Sequence, residues 1–436
     1  MLGDVDEGLG GVTVTTLAAG SAAWVHPSVG AASYGARVRL LHTSDWHLGR
    51  SFHREGMLTH QAAWVDHLLE VVEAERVDVV LVSGDVYDRA LPQVDAVRLA
   101  DETLARLAAS RARVVLTSGN HDSAQRLGFG SRLADAAGVH LRTRASEVGT
   151  PILLEDEHGT VAVHGLPYLD PEATRVEWSL ATRSHEAALG EALRRVRADL
   201  ASRPGARSVV LAHAFVAGSG DDVRPSDSER DISVGGVSIV PTSHFAGLDY
   251  VALGHLHGRH VLDERVRYSG SPLAYSFSEA GHTKGSWLVD LGAPREGGAP
   301  LSAELVASPV PRRLARLRGS LEELLTDPRH ADAEDAWVQA VLTDVDRPVG
   351  AMERLRRRFP HALVLSFEHT APAVGGLPAR PAAGRSDLDV VEEFVSAMRG
   401  SAPTAEERAL LSQAVDACCE DPDADPAPAG AGVGAP

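Results

Sequence analysis

Cysteine is almost missing from this 436-residue chain: the only two, Cys418 and Cys419, are neighbours near the C-terminus. Adjacent cysteines rarely pair with each other, so a disulfide framework is excluded, and a cysteine-based metal site with it. Lysine is scarcer still. Lys284 is the single lysine among 42 basic residues, a bias that reads first as genome composition. No apolar run approaches the roughly 20 residues that a membrane helix needs. Residues 1–36 are rich in Gly, Ala and Val but lack a basic start and a continuous apolar stretch. They do not read as a signal peptide, and the cytoplasm is the expected location. Positive charge is also short. With 60 acidic residues against 42 basic ones the net charge is −18, which argues against a protein that grips nucleic acid unaided.

Hydrophobic residues make up 44% of the chain, enough for real cores, and the length calls for two or three units. From Val38 onward, short apolar runs alternate with amphipathic stretches. Strands are expected at Val38–Leu41, Asp78–Val82 and Val114–Leu116, then at 161–164, 208–212, 249–253 and 286–290. Residues 57–76 have helical periodicity with Trp64, Leu68 and Val72 on one side, and a second helix is expected near 93–109. This alternation argues a layered α/β domain, and open α/β sheets carry their sites at the strand C-termini. The Pro- and Gly-rich residues 292–300 mark a boundary, so the first unit is expected over 37–291. Beyond it, 301–370 reads as a small strand–helix–strand unit. Its strands are Ala336–Leu342 and Ala362–Phe367. Its helix Met352–Phe359 bears Arg354, Arg356, Arg357 and Arg358. A second linker, 371–385, leads to two short amphipathic helices within 386–419. The first carries Leu388, Val391, Val395 and Met398, with Ser386 as N-cap. The second opens on a capping box from Thr404 to Glu407 and carries Leu410, Leu411, Ala414 and Val415. Residues 1–36 and the tail 420–436 are expected to be disordered.

Five polar clusters each follow an apolar strand-like run. They are Asp45-Trp46-His47; Gly84-Asp85 with Asp88; Gly119-Asn120-His121-Asp122; His213; and Gly254-His255-Leu256-His257. Each alone has an ordinary explanation: an Asp-x-His surface turn, a Gly-Asp turn, a helix cap, a structural histidine. Together they offer two carboxylates, one amide oxygen and four imidazoles: Asp45, His47, Asp85, Asn120, His213, His255 and His257. An oxygen and nitrogen set without sulfur suits Mn, Fe, Zn or Mg-like ions rather than a structural zinc site. Seven donors are too many for one ion and fit two ions sharing a carboxylate.

The order of the clusters resembles the calcineurin-like metallophosphoesterase superfamily, with its D-x-H, G-D-x-x-D, G-N-H-D/E, H and G-H-x-H pattern. Within it, Ser44–Arg50, Ser226–Arg230 followed by Val234–Gly236, Asp249–His257, Tyr268–Leu273 and Phe277–Glu279 are similar to the SbcD-type nuclease subunits. The similarity runs over roughly 38–290, is looser beyond, and leaves out 1–36. It implies an α/β sandwich flanked by helices, a small α/β capping domain and a C-terminal helical tail. It implies two divalent ions, manganese first, with magnesium or another metal as alternatives. One ion would be held by Asp45, His47, Asp85 and His257, the other by Asp85, Asn120, His213 and His255. His121 would stabilise the transition state or protonate the leaving 3′-oxygen, and Asp88 would position it. Arg50, Arg54, Arg89 and Arg259 flank the motifs and are candidate phosphate contacts; ordinary surface or ion-pair roles are the plainer reading.

The activity so implied is DNA phosphodiester hydrolysis, exonucleolytic on duplex ends and endonucleolytic on single strands or hairpins, in DNA repair and recombination. The partners implied are DNA, a second copy of the chain, and an SbcC-like coiled-coil ATPase docked on the C-terminal helices. The donor set by itself says only phosphoester hydrolysis. A small-molecule phosphodiesterase of the same superfamily would share every ligand, and a scaffold with a decayed site is the non-enzymatic alternative.

Overall fold

The computed structural model describes residues 37–218, 225–227, 229, 239–294, 298–368 and 385–420. The segment 1–36, residues 421–436, nearly all of the 371–385 linker, Arg230 and Val234–Gly236 lie outside the described residues.

Two six-stranded sheets stack face to face. The first runs, in spatial order, Leu301–Ala307, Gly285–Leu291, Arg39–Thr43, Val79–Ser83, Arg113–Thr117, Val139–Arg142. The second runs His260–Val261, Val266–Tyr268, Tyr250–Gly254, Arg207–His213, Gly159–Leu166, Ile152–Asp156. The alternation of side chains explains the layering. Leu40, Val79, Leu81 and Val115 face Val161, Val163, Val209 and Leu211 across the gap between the sheets. Their neighbours Leu41, Val80, Val82, Val114 and Leu116 point the other way, onto the helices Leu58–Ala74 and Val94–Ala109. On the far side, Val210, Ala212, Val251 and Leu253 meet the helix His185–Ala201. Strands covered on both faces must be apolar at every position, which is why these runs read as continuous. The expected strands and helices of the first unit are present, with ends shifted by no more than two residues.

One boundary differs. Leu301–Ala307, expected to open the second unit, pairs antiparallel with Gly285–Leu291 along its whole length and forms the edge of the first sheet. The Pro/Gly-rich residues before it therefore join two paired strands, and Gly292 N donates to the Pro300 carbonyl at 2.8 Å. Turns and linkers draw on the same residues, so composition cannot separate them. The second unit is then a three-stranded parallel sheet, Leu314–Gly319, Trp337–Leu342 and Ala362–Phe367, with the helix Ala351–Arg358 and its own core around Leu324, Val338, Leu355 and Phe359. It leans on the first unit through Trp337, whose ring lies 5.1 Å from that of Phe52.

The C-terminal helices Asp387–Arg399 and Ala405–Glu420 form a hairpin. Ser386 caps the first through a box with Asp389, and Thr404 exchanges bonds with Glu407 at the start of the second. Arg399–Glu407 and Arg408–Glu392 ion pairs join the two. No residue of the first helix is buried, and Phe394, Met398 and Leu410 are exposed. No helix among the described residues is long and apolar enough to cross a membrane.

Candidate metal centre

The clusters meet because parallel strands of the two sheets end at the same edge. Thr43, Ser83 and Thr117 close three strands of the first sheet; His213 and Gly254 close two of the second. Beyond the strand ends, the ladder continues through the loops. Asp45 N donates to the Gly84 carbonyl at 3.1 Å, His47 N to Asp85 O at 3.0 Å and Leu48 N to Val86 O at 2.9 Å. Asp122 locks the third loop to the second, accepting Val86 N, Tyr87 N and Gly119 N on its carboxylate.

The close approach is made by glycine. A Cβ on Gly84 would lie 2.3 Å from His213 Nδ1, one on Gly119 would lie 2.1 Å from Asp85 Oδ1, and one on Gly254 would lie 1.8 Å from the Ser83 carbonyl oxygen. Each of these glycines immediately precedes a candidate ligand, so the Gly in Gly-Asp, Gly-Asn and Gly-His is a packing requirement of the centre. Four candidate ligands also have left-handed backbone: Asp45 at φ 54°, His47 at 46°, Asp85 at 50° and His255 at 109°. Such conformations cost about 1–3 kcal/mol each for non-glycine residues and persist where the surroundings over-determine them.

All seven candidate ligands come together, and their polar atoms face inward on one another. His47 Nε2 lies 2.9 Å from His257 Nε2. His213 Nε2 lies 2.8 Å from Asn120 Oδ1, and His255 Nδ1 3.2 Å from the same oxygen. Asp85 Oδ2 is 3.7 Å from His47 Nε2 and 3.5 Å from His213 Nε2, between the two groups. Nearby, Asp45 accepts the His255 amide on both carboxylate oxygens, at 3.1 and 3.2 Å. Three-residue sets with mutually close donor atoms are Asp45–His47–His257, Asp45–Asp85–His213 and His47–Asp88–His121.

His213 Nδ1 sits 2.9 Å from the Ser83 carbonyl, which can only accept, so Nδ1 carries the proton and Nε2 a lone pair. His257 Nδ1 faces Glu279 Oε1 at 3.3 Å, leaving its Nε2 as a lone pair too. A lone pair aimed at an amide oxygen at 2.8 Å is repulsive, and either a cation beside both or an amide turned so that Nδ2 donates relieves it. Two imidazoles bound to one ion at about 2.1 Å have their nitrogens roughly 3.0 Å apart at a right angle and about 3.4 Å apart in a tetrahedron, near the His47–His257 separation. Burial holds the His47 and His255 imidazoles well below their usual range, in the neutral form that binds metal. Burial pushes the Asp45 carboxyl up to about 8 in the absence of a cation, with neighbouring Asp85 adding to the rise. The donor set fits divalent metal.

His121 stands against this group without joining either donor pair. Its backbone N–H donates to Asp85 Oδ1 at 2.8 Å, its Nδ1 donates to the backbone carbonyl of Asp88 at 2.7 Å, and its ring packs edge-on to His47 at 4.6 Å. Asp88 therefore holds His121 through its main-chain carbonyl. The Asp88 carboxylate faces Arg50 at 3.3 Å and Arg89 at 3.4 Å. Of the flanking arginines, Arg50 is mostly buried and lies over the Tyr275 ring, Arg89 is exposed, Arg54 is exposed at the turn of the Ser51–Gly56 hairpin, and Arg259 stacks over Trp287.

The sequence reading misses Gln61. This buried residue on the helix Leu58–Ala74 accepts Gly49 N and donates to the carbonyl of His47 at 2.8 Å and to Tyr275 Oη at 3.0 Å. Tyr275 in turn donates to Trp46 O at 2.6 Å. Gln61 thus clamps the first ligand loop. Its signal was a polar residue at helical spacing from Trp64 and Leu68, inside the apolar stripe.

Comparison with known proteins agrees with the geometry. The calcineurin-like phosphoesterase family matches residues 38–259, just over half of the chain. A second family, the SbcD C-terminal domain, described as the type 5 capsule protein repressor C-terminal domain, matches residues 310–399. Among solved structures, GAP50, the anchor in the inner membrane complex of Plasmodium, is similar over 79% of this chain and 100% of its own, at 11% identity and a TM-score of 0.37, too distant to bear on function. The chain belongs to the calcineurin-like phosphoesterase family, whose members are phosphoester hydrolases that use divalent metals.

Proposed function

We propose that this chain is the nuclease subunit of an SbcD-type complex, hydrolysing DNA phosphodiesters at duplex ends and in single strands or hairpins. The observation that carries the two-ion reading is the place of Asp85 Oδ2, reached by His47 on one side and His213 on the other. Asp45, His47, Asp85 and His257 would hold one ion and Asp85, Asn120, His213 and His255 the second, with the shared carboxylate offsetting the repulsion between them. A bound ion pair of this kind supplies an activated water and neutralises charge on the phosphoryl oxygens. The chain's own part is to orient. His121, whose Nδ1 is held by the Asp88 carbonyl, acts on the substrate through its imidazole ring, to stabilise a phosphoryl oxygen or give a proton to the leaving oxygen. Arg50, held by Asp88, supplies positive charge beside it.

The match at 310–399 supports the nuclease reading over a small-molecule phosphodiesterase, since a small substrate needs neither a capping unit nor a helical hairpin. The two readings part in a direct assay. The manganese-loaded protein with its ATPase should shorten linear duplex DNA and leave cyclic nucleotides intact. Cyclic-nucleotide hydrolysis without DNA cleavage would favour the smaller substrate.

Charge shapes how DNA is held. Three of the four arginines on the helix Ala351–Arg358 are engaged: Arg356 with the Ala362 carbonyl, Arg357 with Glu353, and Arg358 with Glu334 and the Leu324 carbonyl. An isolated subunit at −18 therefore binds duplex weakly and with steep salt dependence. Fluorescence anisotropy across a salt series measures this; nanomolar binding by a purified monomer at physiological salt would refute it. Dimerisation would build a shared cleft. Exposed Leu91, Val94 and Val97, with Phe129 and Leu133, form the apolar surface we assign to a second copy; Arg126 ties the two segments by donating to the Ala90 carbonyl at 3.0 Å.

The C-terminal hairpin is assigned to the ATPase. Its helices are short, and short helices are marginal in water without packing. Exposed Phe394, half-buried Leu388 and Val391, and exposed Met398 make one apolar side suited to a coiled coil. Replacing Leu388, Val391 and Phe394 by Asp should abolish co-purification of the ATPase while metal content and hydrolysis of small diesters stay at wild-type levels. Undiminished pull-down would sink the assignment.

A further inference from the structure

The donor set leaves two motifs without a role, Ser226–Arg230 and Phe277–Glu279, and a glutamate of each, Glu229 and Glu279, meets the same residue. The Glu229 carboxylate accepts the backbone N–H of His257. Glu279 Oε1 faces His257 Nδ1 at 3.3 Å. The stretches also touch each other, Asp227 N donating to Ser278 Oγ at 3.0 Å. A third group completes the grip. Lys284 Nζ donates to the His257 carbonyl at 2.8 Å, to Ser271 Oγ at 2.9 Å and to the Glu279 carboxylate. Glu279 and Lys284 are both buried, at 1% and 8% exposure. His257 is thus fixed at its amide, its carbonyl and its ring.

The chemistry explains why the chain keeps its one lysine here. An ammonium offers three diverging donors on a compact head, and all three are used. A guanidinium is a planar fork and cannot point three ways into so small a buried space. Lys284 donates to one oxygen of the buried Glu279 carboxylate, and the other, Oε1, is turned to His257 as an acceptor. Its partner nitrogen on His257 must then be the protonated one. Carboxylates that receive the far N–H of a ligating histidine fix its tautomer and raise its basicity.

We propose that Glu279, anchored by Lys284, is the positioning residue for His257: it turns the Nε2 lone pair toward the Asp45–His47 side and so sets the affinity of the ion held there, leaving the ion held by Asn120, His213 and His255 unaffected. This rests on the two-ion reading above. Removing one charge of the buried pair would strand the other, so the variants change both. Glu279→Leu/Lys284→Met removes the acceptor. Glu279→Gln/Lys284→Met restores a neutral acceptor of the same shape.

Metal-free protein is titrated with manganese and followed by chelator competition and electron paramagnetic resonance. In wild type, two ions bind and their coupled spectrum appears. In the Leu/Met variant one of the two affinities falls about 10–100-fold, the range seen when such outer partners are removed, and at stoichiometric metal the spectrum becomes that of an isolated ion. The Gln/Met variant recovers most of the loss. Two wild-type affinities in the Leu/Met variant, or equal loss at both sites, overturn the proposal. A wild-type protein that binds fewer than two ions overturns the two-ion reading and the proposal with it.

Discussion

His121→Ala leaves two divalent ions bound and lowers hydrolysis on the order of a hundredfold or more, whereas Asp85→Ala loses metal. The contrast follows from geometry. Asp85 Oδ2 lies within 3.7 Å of ring nitrogens from both halves of the centre, so on the proposed assignment its removal takes a ligand from each ion. His121 contributes its backbone amide to Asp85 Oδ1 and its Nδ1 to the Asp88 carbonyl, neither of which is a metal bond. Alanine keeps the backbone donor and deletes only the ring. The size of the effect is that of losing a positioned acid or a charge-stabilising donor. Elemental analysis beside steady-state rates measures both quantities. If His121→Ala shed an ion as completely as Asp85→Ala, His121 would be a ligand and the division of roles would fail.

Gly119→Ala should be nearly as damaging although it adds one methyl group. That carbon would sit 2.1 Å from Asp85 Oδ1 and 2.4 Å from Asp85 N. Neither atom can yield cheaply, because the amide is part of the Gly84–Asp85 turn and the carboxylate is the one we propose to be shared by the two ions. Overpacking at a tight site costs about 1–3 kcal/mol, and here the strain falls on the metal bridge. The expected result is loss of bound metal, with activity down on the order of a hundredfold, and a lowered melting temperature. Gly56→Ala is the control, since nothing lies within 4 Å of the new carbon. Normal metal content in Gly119→Ala would show that the second and third loops are not packed as described.

The seven candidate ligands were legible because each lies at the end of an apolar run, in a cluster whose residue types suit one chemistry. The layered fold was legible for a related reason: strands buried on both faces leave unbroken apolar runs such as Val79–Val82. What the sequence did not disclose depends on contacts distant along the chain or on backbone geometry. Gln61 meets Tyr275 from 214 positions away, and no local pattern marks that pairing. Left-handed backbone at Asp45, His47, Asp85 and His255 has no sequence signature when the residue is not glycine. Lys284 was visible as an anomaly, but composition offered a sufficient explanation until its three acceptors were seen. Asp88 shows the reverse case: the residue was noticed, while its hold on His121 runs through a backbone carbonyl that side-chain chemistry could not suggest.

The central claim is that one carboxylate joins two ions. Anomalous diffraction from crystals grown with manganese tests it most directly. The account predicts two peaks, roughly 3.5–4 Å apart as in two-metal hydrolases, one contacted by Asp45, His47 and His257, the other by Asn120, His213 and His255, with Asp85 touching both. A single peak at saturating metal, or two peaks of which Asp85 touches only one, would contradict it.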